Sequence, residues 1–463
     1  MAKFLKLEKF FFYSLVFLLF FQGRFILRAF RPEFNEWTSA YLYLTDLLIA
    51  AVIFLWLIRI LRKHAAIKVG KTEIAFFVFL GISGLSLAVS NNFWLSLYGF
   101  VKLVEFGALF LYVKNNFAQL FNLTRFWQIF VASASLQSVV AIWQFFGQKS
   151  LGIKYLESPL APNLAGVAKV VVSGQNYIRA YGLMPHPNIL AAVLILAIFG
   201  VAYLFIKNYQ ASKNWHKIIY GVALVLILVA LFFTFSRAIT AVGLALLIIW
   251  LSALFWRPAC RRGRQKESRR PIVIFIVLLF TVYCLLLIVY WPHVLARYDL
   301  NAVGQSQAFD LRVYYNNVAL DFIKSSPIFG IGQGNFVWAN SNLGLLESWM
   351  YQPTHNIYLL IAAETGLLGL LAFLAFLFFT LKSAWKNKDD LSASCLLFIV
   401  YCLLLIGFID HFWWDIQQGQ IMFWLFLGIL AAISHPERSE GSLANASKIS
   451  PHSLTDKARP SGG

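Results

Sequence analysis

Apolar runs of roughly membrane-spanning length, broken by short polar segments, recur along the chain near residues 10–27, 41–60, 74–90, 96–113, 127–146, 188–206, 218–235, 238–256, 271–291, 356–380, 392–410 and 420–433. About 20 apolar residues wound as a helix cover the hydrocarbon core of a bilayer. The pattern therefore predicts an all-α integral membrane protein with about 12 transmembrane helices. The first run follows Lys3, Lys6 and Lys9 and looks like a signal peptide, but Gln22-Gly23-Arg24 follows it instead of a small-residue cleavage site. It is read as a retained first helix.

The polar breaks are not alike. Most of the 39 lysines and arginines fall in alternate breaks, with both ends of the chain on that side. Basic loops stay cytoplasmic, so both termini are expected in the cytoplasm of a multi-pass inner-membrane protein. The opposite face receives two long loops, about 147–187 and 292–355. Irregular sequence kept on one side marks the working face. Within the larger loop, Leu311, Val318 and Phe322 recur at helical spacing between Phe309 and Lys324, and Pro327 ends the pattern. This predicts an amphipathic helix near the outer interface, followed by a glycine-rich turn from Gly330 to Phe336. Residues 1–433 are taken as one membrane domain. Residues 434–463, rich in Ser, Pro, Gly and charge, are taken as a disordered cytoplasmic tail.

Composition agrees: 60% of residues are hydrophobic and only 13% charged, against roughly 25% charged in globular proteins. The net charge of +19 is dispersed in short clusters between apolar runs, which fits a membrane surface and argues against nucleic acid. Cys260, Cys284, Cys395 and Cys402 fit no disulfide framework or zinc spacing, and neither a metal nor a cofactor is expected.

The candidate chemistry lies on the outer side. Arg237, in Thr234-Phe-Ser-Arg237, sits at the tip of a hairpin between two strongly apolar helices, where a charge is costly unless used. Arg312 lies on the amphipathic helix, and its planar guanidinium suits two phosphate oxygens at once. His355, in Pro353-Thr-His-Asn356, stands where the chain re-enters the membrane, at a helix start that favours neutral imidazole. Each has a plainer reading: a snorkelling arginine, a headgroup contact, a hydrogen-bonded interfacial histidine. Arg179 and His186 at the end of the first long loop, and Glu364 in the helix after His355, are secondary candidates. Lys102 and Glu105, three apart on one helix, are expected to neutralise each other. No nucleotide fingerprint is present; the Gly330, Gly332, Gly334 run follows no strand of a parallel sheet.

The order of these motifs is Ser236-Arg237, Asp310-Leu-Arg312, Ser326-Pro-Ile-Phe-Gly-Ile-Gly-Gln-Gly334, His355-Asn356-Ile-Tyr-Leu359 and Glu364-Thr-Gly-Leu-Leu-Gly369. It resembles the O-antigen ligase and polysaccharide polymerase family, which includes protein O-oligosaccharyltransferases, most strongly over about 220–380. The resemblance implies a membrane fold similar to the GT-C glycosyltransferases, with a large extracytoplasmic loop containing short helices. It implies a transferase that moves a glycan from undecaprenyl diphosphate to a hydroxyl of a glycan, lipid or protein, in cell-envelope polysaccharide or lipopolysaccharide synthesis. Carried over by motif, Arg237 and Arg312 hold the donor diphosphate and His355 is the base; beside them, from the residues themselves, Arg179 is a further diphosphate candidate, Glu364 and Asn356 are secondary candidates, and His186 is a weaker rival to His355. The crowded Pro185-His186-Pro187 departs from the family pattern and leaves the acceptor open. The alternatives are a transporter or flippase for lipid-linked glycan, which would use the deep residues Asp46 and Glu105, and a non-catalytic scaffold indifferent to replacement of Arg237, Arg312 and His355.

Overall fold

A computed structural model describes residues 2–63, 69–153, 155–209, 213–256, 265–298 and 303–434. The segment 435–463, expected to be a disordered tail, lies outside them, as does Cys260. Helices account for nearly all regular structure. They are α1 (Ala2–Leu18), α2 (Leu44–Lys63), α3 (Lys71–Leu85), α4 (Phe93–Leu120), α5 (Leu123–Gly147), α6 (Pro187–Asn208), α7 (Asn214–Phe233), α8 (Arg237–Phe255) and α9 (Gln265–Val289). The connection after α9 holds α10 (Trp291–Tyr298), α11 (Val303–Ser325) and α12 (Phe336–Ser341). After them come α13 (Ile357–Trp385), α14 (Leu391–Ile406), the single turn α15 (Phe412–Asp415) and α16 (Gln417–Ile433).

Each of the twelve apolar runs thus has its helix. Among the described residues nine are both long and apolar enough to cross a membrane, from α2 to α9 and α13. The other three, α1, α14 and α16, have 17, 16 and 17 residues. The boundaries follow local chemistry. Asn92, Asn122 and Asp390 each cap the start of the helix that follows by accepting a backbone N–H, as short polar side chains do at N-termini. Pro187 stands at the first position of α6, where its missing N–H costs nothing.

The first two runs need correction at their facing ends. The first helix stops at Leu18 instead of running to 27, and Arg24–Ala29 forms β1, paired antiparallel with β2 (Ser39–Tyr43). A second hairpin joins β3 (Lys169–Val172) to β4 (Gln175–Ile178). The alternation of Arg24-Phe-Ile-Leu-Arg28 reads as apolar in composition, but its backbone is satisfied by a neighbouring strand. The amphipathic helix is found as expected, though longer: α11 runs from 303, ends just before Pro327, and buries Tyr315, Val318 and Ala319.

The centre of the bundle is α6, buried along nearly its whole length, while α9 is the most peripheral span. Close helix approach rests on small residues; a Cβ at Gly200 of α6 would lie 2.4 Å from the Trp127 ring of α5. Charges inside spans are paired, as burial demands. Arg59 meets Glu8 at 2.8 Å, and Lys114 meets Glu73. Lys102 joins Glu105 at 2.7 Å as its spacing predicts, and Asp46 of α2 joins the same ammonium at 2.7 Å.

The connections that follow α1, α3, α5, α7, α9 and α14 gather at one end of the bundle. Asn35 donates to the Tyr351 carbonyl, the Asn92 N–H to Asn335, and Asn188 to Asp410. These ties between distant loops build the wall of the site.

Candidate functional site

At that end, α6, α10, α11, the start of α13 and the α14–α16 connection enclose a cavity of about 570 Å³, within the range of small-ligand pockets. Two groups of side chains share its lining: Arg179, Arg297 and Arg312, and His186, His355, Asp410 and His411.

Arg179 is placed by the end of β4. Its own N–H bonds the Ala168 carbonyl, and the next residue bonds the end of α7 through Phe233. Its guanidinium donates to the Thr234 carbonyl at 2.6 Å and to Asn188 Oδ1 at 2.9 Å. It therefore ties the α7–α8 turn to the start of α6. The turn is tight, with Phe235 at φ +47°, and Ser236 donates to the same Asn188 oxygen at 3.0 Å. Arg297, on α10, donates to the Phe235 carbonyl at 3.3 Å. Arg312, on the exposed side of α11, completes the group. Burial, and then the charge of Arg297, push Arg179 down to about 9; burial, with Arg237 and Arg312, brings Arg297 down to about 10. Cations gathered like this with no acidic partner of their own among the described residues invite an anion.

The histidine part is arranged around Asp410. Asn188 donates to its Oδ2 at 3.0 Å, and the His411 N–H to its Oδ1 at 2.9 Å. Burial alone would raise this carboxyl, but His411, His355 and His186 bring it below the ordinary value. His411 Nδ1 meets Asp415 at 2.8 Å. Burial opposes charge on His411, yet Asp415 and then Asp410 outweigh it and lift its pKa. His355 stands at 4.9 Å from His411 between ring centres and lies parallel to Tyr315 at 6.1 Å. Burial first, and then His411, press His355 down to about 3. The direction is the one that a neutral imidazole requires, with burial as the main cause. Its Nδ1 is buried with no hydrogen-bond partner. His186 caps α6 by accepting the Asn188 N–H at Nδ1 (3.2 Å), and burial lowers it also to about 3.

Of the residues chosen from sequence, Arg179, His186, Arg312 and His355 meet in this cavity. Arg237 opens α8 at the margin: it lies over the Tyr298 ring at 5.2 Å and its charge acts on Arg179 and Arg297. Asn356 is the N-cap of α13, accepting from the N–H groups of Tyr358 and Leu359. Glu364 lies elsewhere, in a neighbouring pocket, and accepts the Phe336 N–H at 3.3 Å. Sequence reasoning missed Arg297, Asp410 and His411. Asp410-His411 carried a usable signal, two ionisable residues side by side in an apolar stretch, but Asp410 was absorbed into a predicted span, 392–410, whose helix in fact ends at Ile406. Among the described residues no group of three or more His, Cys, Asp and Glu is placed to hold a metal ion.

Residues 222–374 match the model of the O-antigen ligase family. The chain carries an O-antigen ligase domain. No curated protein matches the chain. The ligase match runs from within α7 to within α13 and takes in Arg237, Arg297, Arg312, His355 and Glu364. Arg179, His186, Asp410 and His411 come from outside the matched residues and complete the same cavity. With its apolar helices, the match makes this a multi-pass membrane protein of the glycosyl-transferring, ligase–polymerase type.

Proposed function

We propose that the protein transfers a glycan from undecaprenyl diphosphate to an acceptor hydroxyl at the outer face of the cytoplasmic membrane. The observation that carries this reading is the cavity in which three arginines stand beside a neutral histidine and a histidine–carboxylate pair. Arg312, Arg297 and Arg179 hold the donor diphosphate, with Arg237 adding charge from the margin. Negative charge grows on the diphosphate oxygen as the anomeric C–O bond breaks, and preorganised guanidinium groups stabilise it. His355 takes the proton from the acceptor oxygen as that oxygen bonds to the anomeric carbon. The electron pair of the broken bond leaves with undecaprenyl diphosphate. Two nearby histidines shifted in opposite directions suit this division of labour: His355 pressed down and able to accept a proton, His411 lifted by Asp415 and supporting the anionic side. The donor already carries the energy of transfer, so the reaction consumes no nucleotide.

The test is release of undecaprenyl diphosphate from lipid-linked glycan by the purified protein, with glycan appearing on a supplied acceptor. Both products are expected in equal amounts. Donor that remains intact with every acceptor class, glycan, lipid and protein, would sink the reading.

A further inference from the structure

Asn188, the second residue of α6, lines the cavity and is bonded to members of both its charged groups. Its side-chain oxygen accepts from the Arg179 guanidinium at 2.9 Å and from the Ser236 hydroxyl at 3.0 Å. Its side-chain nitrogen donates to Asp410 Oδ2 at 3.0 Å. Its backbone N–H donates to His186 Nδ1 at 3.2 Å. One side chain thus joins the α7–α8 turn, the end of β4 and the α14–α16 connection.

The amide is matched at both ends. A carboxamide oxygen only accepts and its nitrogen only donates. Here the oxygen meets a cation and the nitrogen meets a carboxylate, so both bonds are charge-assisted. The reverse orientation would set donor against donor and acceptor against acceptor, and the network excludes it.

The same amide keeps two opposite charges apart. Arg179 and Asp410 in direct contact would close a buried ion pair. A guanidinium satisfied in that way has less to offer a diphosphate, and the carboxylate has less to offer the histidines. With Asn188 between them, both Arg179 side-chain bonds go to neutral oxygens, those of Thr234 and Asn188. Asp410 stays with His411, whose N–H donates to its other oxygen at 2.9 Å.

We propose that Asn188 is a positioning residue: its amide orients Arg179 and Asp410 while holding them apart, so that Arg179 stays open to the donor diphosphate and Asp410 to the histidines. The assignment rests on the glycosyl-transfer reading above. Asn188 lies outside the matched ligase residues, and it acts through its two partners, not on the reacting atoms.

The test titrates inorganic pyrophosphate into the full chain in detergent micelles, by calorimetry. It compares wild type, Asn188→Asp, Asp410→Asn and the double variant carrying both changes. Asn188→Asp is isosteric, but it sets a carboxylate on Arg179 and against Asp410. In the double variant position 410 supplies the N–H donor and position 188 the acceptor, so the bonds can re-form with the single carboxylate moved beside Arg179. Pyrophosphate binding is expected to weaken roughly tenfold or more in both variants with Asp at 188, and not to weaken in Asp410→Asn alone. The double variant is expected to regain the thermal midpoint that Asn188→Asp loses, without regaining the binding. A residue that merely braced the wall would regain both together. That result, or wild-type binding by Asn188→Asp, overturns the assignment and leaves the arginines as the donor site. Pyrophosphate that does not bind wild type takes down the donor assignment itself, and the role of Asn188 with it.

Discussion

His355 and His411 face each other at 4.9 Å between ring centres and are driven in opposite directions. Among the described residues His355 has no acid at hydrogen-bond distance from its buried Nδ1, so burial dominates and presses its pKa down. His411 has Asp415 at 2.8 Å, so the carboxylate wins over burial. The consequence is a pH profile. The free enzyme governs kcat/KM, and His355 pressed from 6.5 to about 3 is available as a base at every pH above that value. Transfer by wild type is expected to hold its kcat/KM from pH 8 down to about pH 5, with the acid limb well below an ordinary histidine's. His411→Ala removes a neighbour that presses His355 down, so the limb moves upward in that variant. A wild-type midpoint near 6.5 would mean that His355 is not the buried, neutral base described here.

At the scale of elements, the informative place is the break in α13. Gly366 has φ +75° and ψ 175° in the middle of the helix, which frees backbone groups that a span must satisfy. The glycine-rich segment after α11 supplies the partners. Ile331 and Gly332 donate to the carbonyls of Ala363 and Glu364 at 2.9 and 3.0 Å, and Leu367 donates to the Pro327 carbonyl at 2.8 Å. The contact is so close that a Cβ on Gly366 would lie 2.0 Å from the Ile328 carbonyl oxygen. This insertion fixes the start of α13, and with it Asn356 and His355, against the loop that carries Arg312. Gly366→Ala is therefore expected to cost on the order of 3 kcal/mol from backbone strain, with the carbonyl clash in addition, and to lower the thermal midpoint of the purified protein or prevent its accumulation. Gly81→Ala, in α3 with no atom within 4 Å of the new Cβ, is the control and is expected to unfold like wild type. Equal midpoints for the two variants would show that the insertion is not rigid.

For the whole molecule, the alternation of apolar runs and polar breaks was enough to locate every helix of the bundle, because hydrocarbon length and backbone satisfaction leave little choice. Arg312 and His355 were legible for a related reason: a costly residue at a membrane boundary stands out against its surroundings. What could not be read depends on contacts between distant segments. The β1–β2 pairing, the role of Gly330 and Gly332 as donors into a broken helix, and the gathering of Arg179, Arg297, Asp410 and His411 around one cavity exist only once the loops meet. Most of that cavity's lining comes from outside the matched ligase segment, so its chemistry is a property of the assembled bundle. The central claim is that these arginines and His355 act together on one lipid-linked donor. The most direct test is single-turnover glycan transfer from an undecaprenyl-diphosphate donor, comparing wild type with Arg312→Ala and His355→Ala in membranes of the same composition. The account predicts transfer by wild type, and a loss of about 100-fold or more in each variant while both keep the wild-type thermal midpoint; folded variants that transfer at the wild-type rate would contradict it.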